Sequence, residues 1–499
     1  MRVTDGLHGD GYDASRDLFD TVVAFLDSDE AAGMEHAELE DNLHQRSREL
    51  FRRLFQDHLD RRAQREERLD AVSGADGADR ANVEAGHHRG LLTVFGAVEV
   101  ERLAYRCAGR PNLHPADGAL NLPVERHSHG LRRLAAVEAS RGSFDAAVEA
   151  IGRSTAQHVG KRQVEALVRR AAVDVEGFYA AIERHPGSDD VLVLSADGKG
   201  IVMRPDSLRP ATEAAAAAAT TKLRTRLSKG EQPNRKRMAT VGAVYDLEAV
   251  PRHPADVLAS KAGGNAPPAP KAKSKWVTAS VAASAALVVG TIFDEADRRD
   301  PDHRRPWVAL VDGNSHQIDC INAQAAHRHH DVVIVIDLIH VLEYLWGAAW
   351  CFFTEGDTAA EKWVHDRALA ILTGNATDVA AGIRRRATTT RLSRSKRRKA
   401  DLCANYLTNK APYLDYPAAL TAGWPIATGV IEGACRHLVK DRMDITGARW
   451  GLDGAEAILK LRALRSNGDF DAYWRFHIQQ ERHRVHQTRY ANHVIPTAA

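Results

Sequence analysis

Cysteine is scarce in this sequence: five residues in 499, at 107, 320, 351, 403 and 435, with no Cys-x-x-Cys pair. An odd number of widely spaced thiols excludes a disulfide framework and a zinc ribbon alike, and fits reduced thiols in a cytoplasm. Long hydrophobic runs are also missing. No stretch approaches the roughly 18 apolar residues that cross a bilayer, and the opening MRVTDGLHGDGYD lacks the apolar core of a signal peptide, so a soluble, cytoplasmic protein is expected. Net charge is nearly absent: 68 Lys plus Arg face 66 Asp plus Glu, leaving +2. Affinity for nucleic acid would therefore come from local patches, not from the total. Tandem repeats are lacking as well. With 44% hydrophobic residues the chain is able to bury cores in several domains.

Residues 1–85 read as a helical region followed by a linker. LEDNLHQRSRELFRRLFQDHLDRRAQREERL places Leu43, Leu50, Leu54 and Leu59 near a helical period, and AVSGADGADRANVEAGHH has linker composition. Residues 90–180 begin with GLLTVFGAVEVERLAYRC, which alternates around Phe95, Val98 and Val100 as a short hairpin does. Two helices follow, one capped by Ser143 and closed at Gly152, the other running from about Lys161 to Ala172 with Arg162, Gln163, Arg169 and Arg170 on its polar side. The pair reads equally as a helix-turn-helix for a major groove and as an ordinary amphipathic pair.

Between 188 and 344 the texture turns to strands, in DVLVLSADG, KRMATVGAVYDL, WVTASV, RPWVALVDGN and DVVIVIDLIHVLEYLW. Continuous apolar runs that lead into helices predict a mixed α/β core. Two low-complexity, Lys/Arg-rich loops interrupt it, around 213–237 and 259–276. Residues 345–420 read as helical and contain Arg384, Arg385, Arg386, Arg391, Arg394, Lys396, Arg397, Arg398 and Lys399 without an acid among them, a run that attracts phosphates in a salt-dependent way. Residues 421–475 return to a helix-rich segment, and 476–499 read as a tail.

Three acids stand out by context. Asp197 ends a strand before Gly198-Lys199-Gly200, Asp312 ends WVALVD before Gly313, and Glu432 opens a helix in GVIEGACRHL. Brought to one sheet edge they would repel one another unless divalent cations neutralised them, and hard carboxylate ligands suit Mg²⁺. Taken singly, each is equally a turn residue or helix cap. Asp337 and His340 stand three apart at a strand-to-helix transition, where the imidazole is able to bond the carboxylate, or Asp337 to cap the helix and His340 to join the core. Lys199 reads as a phosphate contact or a solvated turn residue, and Trp450 as a base-stacking ring or a core residue. The histidine tracts at 327–330 and near the C-terminus read as exposed and lack the further ligands of a zinc site.

In order, SADGKGI, KRMATVGAVY, RPWVALVDGN, VIDLIHVLEYLW and GVIEGACRHLVKDRMDITGARW resemble the DDE transposases of bacterial insertion sequences of the Kra type, related to the Mutator-like group, over roughly residues 90–475. The resemblance implies a ribonuclease-H-like catalytic fold with a helical insertion at 345–420, preceded by mostly helical DNA-binding regions. It implies Asp197, Asp312 and Glu432 as catalytic metal ligands, Asp337 and His340 as a supporting D-x-x-H motif, and Mg²⁺, or Mn²⁺ in its place, as cofactor. Its implied partners are double-stranded DNA, at element ends and target, and further copies of the chain. Asp337 also ends an apolar strand and competes with Asp312 for the second place; Asp312 is preferred because Asp337 then fills the D-x-x-H position.

Overall fold

A computed structural model describes residues 11–183, 190–219, 223, 227–228, 231, 233–258, 270–427, 429–445 and 447–497. The chain divides into two compact units, one drawing on residues up to Ala180 and from Asp469 on, the other on Ala181–Gly468.

In the first unit the long amphipathic stretch forms helices Asp13–Leu26 and His36–Gln64. Leu59 is buried in a core with Leu91, Val98, Val100 and Leu122, whereas Leu54 is exposed. The segment that reads as a linker is structured: strands β1 (Val72–Ser73) and β2 (Asp79–Arg80) pair with each other, and β3 (Asn82–Leu92) begins inside it. Its small and polar residues hid the strand because β3 is half exposed and bulges at Gly86, where φ is +75°. β3 pairs with β4 (Ala97–Arg106), and the turn between them carries Gly96 at φ +139°, leaving Phe95 exposed.

Helices His129–Arg141, Phe144–Thr155 and Lys161–Ala171 pack on one another. Ser128 and Ser143 accept the Leu131 and Ala146 N–H groups at 3.3 and 3.0 Å, as N-caps do. The first of the two predicted helices does not stop at Gly152. It runs on to Thr155 and ends at Ala156, whose φ of +55° lets its N–H bond the Gly152 carbonyl at 2.8 Å. The expected tail begins inside a helix, Phe470–Val485. Arg132, 1% exposed, reaches Glu481 at 2.6 Å, while Asp174 takes His477 Nδ1 at 2.7 Å and Arg484 at 2.9 Å. His486, read as exposed, is buried and donates Nε2–H to the Leu122 carbonyl at 2.7 Å. Burial holds the pKa values of His129, His477 and His486 below the ordinary 6.5.

The second unit is built on a five-stranded sheet: β5 (Val191–Val202), β6 (Lys236–Leu247), β7 (Ala272–Ser280), β8 (Trp307–Val311) and β9 (Val332–Ile336). Its order is β7-β6-β5-β8-β9; the first three strands are antiparallel neighbours, and β8 and β9 run parallel to β5. This mixed sheet is compatible with the ribonuclease-H-like expectation. Of the two low-complexity segments, 220–222, 224–226, 229, 230, 232 and 259–269 lie outside the described residues; β6 and β7 reach into their far ends, and helix Pro210–Ala217 occupies the near end of the first.

Helix Ala285–Arg299 covers one face, and Gly242 of β6 admits it: a Cβ there would lie 2.6 Å from Ile292. Gly242 pairs with Ala196, so the alternation of β5 turns Asp197 to the opposite face, where Val430–Ala434 and the π-helical Cys435–Lys440 pack. After β9 the chain forms helices Leu338–Ala349, Thr358–Leu372, Ala376–Thr389, Arg398–Asn409 and Tyr416–Thr421.

Gly242→Ala should destabilise the second unit by about 1–3 kcal/mol through overpacking against Ile292, as read by denaturant unfolding. In the first unit, histidines held neutral when folded take up protons on unfolding as pH falls. The unfolded state then binds more protons, so stability is full above pH 6.5 and is lost as pH falls below it. Thermal melts of the wild type across that range should show the loss, and His486→Gln should flatten it.

Candidate active site

The parallel pairing of β5 with β8 sets Ser195 beside Leu310, and that of β8 with β9 sets Leu310 beside Val335. Two residues further along stand Asp197, still within β5, and Asp312 and Asp337, each just past the end of its strand. In the sheet order the strand leading to Asp312 adjoins that of Asp197, while the strand leading to Asp337 lies one further out.

Each aspartate is held differently. Asp197 accepts the Gly198 N–H on Oδ1 at 2.6 Å and the Cys435 thiol on Oδ2 at 3.1 Å. Asp312 lies just past the end of β8, exposes part of its surface, and accepts the Asn314 N–H at 2.7 Å; Gly313 follows at φ +90°. Asp337 is 5% exposed and caps helix Leu338–Ala349, accepting the Ile339 N–H at 2.8 Å while its own N–H bonds the Val311 carbonyl at 2.8 Å. His340 is half-buried, with Nδ1 3.4 Å from Glu343. Of the two roles open to Asp337, the structure displays the helix cap.

Glu432 is exposed on helix Val430–Ala434, one turn before Cys435 and on nearly the same side. Burial first, and then the negative charge of Asp197, push the Cys435 thiol well above the usual range, with Glu432 adding in the same direction. The thiol therefore marks the point where the helix bearing Glu432 meets the strand bearing Asp197. Among the described residues, no three His, Cys, Asp or Glu side chains converge as a ready-made site for one metal ion. What the sheet brings together are the strands that lead to Asp197 and Asp312, with Glu432 on the helix that continues into Cys435, the partner of Asp197.

The basic positions divide in the same way. Arg384 donates to Asn405 at 2.8 Å, Arg386 stacks over Phe352, Phe353 and Trp363 at 4.7, 4.6 and 5.8 Å, and Arg397 bonds Asp401 at 2.9 Å. The first two hold helices together and the third pairs within its own helix, leaving Arg385, Arg391, Arg394, Lys396, Arg398 and Lys399 exposed. In the first unit Arg162, Gln163 and Arg169 are exposed on the helix surface, with Gln163 bonding the Gly160 N–H, and Arg170 pairs with Glu125 at 2.5 Å. Trp450 is a core residue: 6% exposed, it donates to the Met443 carbonyl at 3.0 Å and lies under the Arg442 guanidinium. Exposed Lys199, Arg204 and Lys236 gather around the far ends of β5 and β6. Of these, sequence reasoning singled out Lys199 alone; it passed over Arg204 and Lys236, and also Cys435, whose spacing of three from Glu432 was the available signal.

Half-exposed Cys107 and Cys351 should alkylate first under native conditions, and Cys403, its pKa pushed up to about 12 by burial, and Cys435 last. Asp197→Ala removes the acceptor and the charge, so it should speed modification of Cys435 but not of Cys403, as read by mass spectrometry of timed samples.

No family model matches the chain, and no curated protein matches it. No helix among the described residues is long and apolar enough to cross a membrane. Among solved structures the chain is similar to the Drosophila P element transposase strand transfer complex at 9% identity and a TM-score of 0.23, over 70% of this chain and 79% of that one, a likeness too slight to carry an argument.

Proposed function

We propose that the chain is a DDE transposase that binds element ends, cleaves DNA there and joins the freed end to a target. The observation that supports this is the parallel register that pairs Ser195 with Leu310, two residues before Asp197 and Asp312, with Glu432 one turn before the Cys435 that bonds Asp197. The strand order of a ribonuclease-H-like core and the five ordered motifs support the same reading.

A cluster of carboxylate oxygens fits a hard divalent cation, which keeps waters and takes phosphate oxygens in its remaining positions. Asp197, Asp312 and Glu432 would hold two Mg²⁺ ions, with Mn²⁺ as a substitute. When bound, such a pair supplies activation of the attacking oxygen and charge neutralisation at the leaving one. The chain's own contribution is placement: β5 and β8 hold two acids on a rigid sheet, and the Cys435 thiol fixes the rotamer of Asp197. In cleavage, water attacks phosphorus, its proton passes to solvent, and the bond to the 3′ oxygen breaks, leaving a 3′-hydroxyl and a 5′-phosphate. In joining, that hydroxyl attacks a target phosphodiester and displaces another 3′ oxygen. The exposed arginines and lysines of 385–399 and of Lys161–Ala171 contact phosphates, and pairing two ends calls for at least two copies of the chain.

Purified protein, labelled element-end DNA, a supercoiled target, and Mg²⁺ or EDTA test this. Asp197→Asn, Asp312→Asn and Glu432→Gln should each lower joining by 10²-fold or more while DNA affinity stays within about twofold of wild type. Asp337→Asn should retain joining at a reduced level. Strand transfer surviving Asp197→Asn would sink the assignment; cleavage without joined product would indicate a nuclease, and binding alone a non-catalytic DNA-binding protein. Changing Arg394, Lys396, Arg398 and Lys399 together to Gln should shallow the salt dependence of binding by about 0.9 for each phosphate that the variant no longer neutralises.

A further inference from the structure

The helices that follow β9 grip the sheet at two main-chain carbonyls. Tyr416 donates its hydroxyl to the carbonyl of Ile336, at the end of β9, at 2.9 Å. Tyr406 donates its hydroxyl to the carbonyl of Asp312, also at 2.9 Å. The second contact falls on a candidate catalytic residue, on the peptide unit that leads from it into Gly313.

Three features make this contact specific. Tyr406 stacks on Tyr344, with ring centroids 4.0 Å apart and planes 16° apart, so its hydroxyl is aimed by a second ring. Gly313 follows Asp312 at φ +90°, and a Cβ there would stand 2.8 Å from the Tyr406 hydroxyl, so the glycine gives the phenol its space. Lys410 Nζ, one turn further on, bonds Ser315 Oγ at 2.7 Å, holding the other side of the same short loop. Helix Arg398–Asn409 thus ends on the segment that carries the Asp312 carboxylate. Its first turn bears exposed Arg398 and Lys399, eight and seven residues earlier, or about 12 Å along a helix that rises 1.5 Å per residue.

We propose that Tyr406 is a positioning residue for Asp312: it fixes the backbone at the second acid and links that acid to the helix whose other end carries part of the basic surface. This rests on the transposase reading, in which Asp312 holds metal. The effect of Tyr406 passes through the peptide it bonds. Residues that orient a ligand from behind typically change metal affinity or activity by about 10–100-fold when removed.

The test is Tyr406→Phe, which deletes one oxygen and keeps the stacked ring, beside wild type and Asp312→Asn, in cleavage of element-end DNA over a Mg²⁺ titration. Mn²⁺ binding to DNA-free protein, followed by electron paramagnetic resonance, gives a readout independent of turnover. The expected result for Tyr406→Phe is a Mg²⁺ half-saturation raised about 10-fold, a parallel weakening of Mn²⁺, most of the rate recovered at saturating Mg²⁺, and unchanged DNA affinity. If Asp312→Asn is inactive while Tyr406→Phe titrates like wild type, the positioning role is overturned and the transposase reading stands. If Asp312→Asn cleaves like wild type, both fall. Should Tyr406→Phe fail to fold, Tyr344→Leu loosens the same phenol from the partly exposed side and should shift the titration in the same direction; an unmoved midpoint overturns the proposal.

Discussion

The alignment of β8 with β5 is the constraint on which the candidate site depends. Parallel neighbours keep paired residues on one side of the sheet, so a register that sets Ser195 beside Leu310 leaves Asp197 and Asp312 each two residues beyond that pair. A slip of one residue would turn one of the acids to the opposite face, into the packing of helix Ala285–Arg299. The register is secured because every residue of β8 and the first six of β5 are buried. Gly242 adds to this, since helix and sheet close only where a Cβ is missing.

Polar groups at the end of such a sheet need partners, and the structure provides them in ways that also orient the acids. The carbonyl of Asp312 goes to Tyr406 and that of Ile336 to Tyr416, the Asp337 carboxylate is spent on a helix cap, and one oxygen of the Asp197 carboxylate accepts the Cys435 thiol. Satisfying a buried group is a stability requirement. Here the same contacts set which carboxylates remain open: Asp197, Asp312 and Glu432 keep exposed surface, whereas Asp337 is enclosed.

Arginines show a comparable division of labour. Arg386 is taken up by three aromatic rings, Arg397 by Asp401, Arg132 by Glu481 and Arg170 by Glu125. A guanidinium with apolar or acidic company stabilises the packing and has little left for a phosphate. The surface field of the helices after β9 comes from the interleaved residues that point outward, and this is why a run of basic residues overstates the number available to a ligand.

The amino-acid sequence alone determined a good deal here. Apolar runs before Asp197, Asp312 and Asp337 marked strands, although β5 does not end at Asp197 but runs on through Gly198-Lys199-Gly200 to Val202 because β6 pairs with it there; Ser143 marked a helix start, and the absence of long apolar runs agreed with a structure in which no described helix is fit to cross a membrane. These are local properties, set by which side chains suit a strand, a cap or water. Other features rest on partners far away in the chain. β3 hid in linker-like composition because its pairing with β4 supplies what its residues lack, and helix Phe470–Val485 hid because Arg132 and Asp174, some 300 residues earlier, hold its charges. Only the tertiary structure decided that Trp450 is core, that Asp337 caps a helix, and that Cys435 and Tyr406 contact the two leading acids. Register, burial and side-chain partners are relations between distant segments, and a linear pattern carries no measure of them.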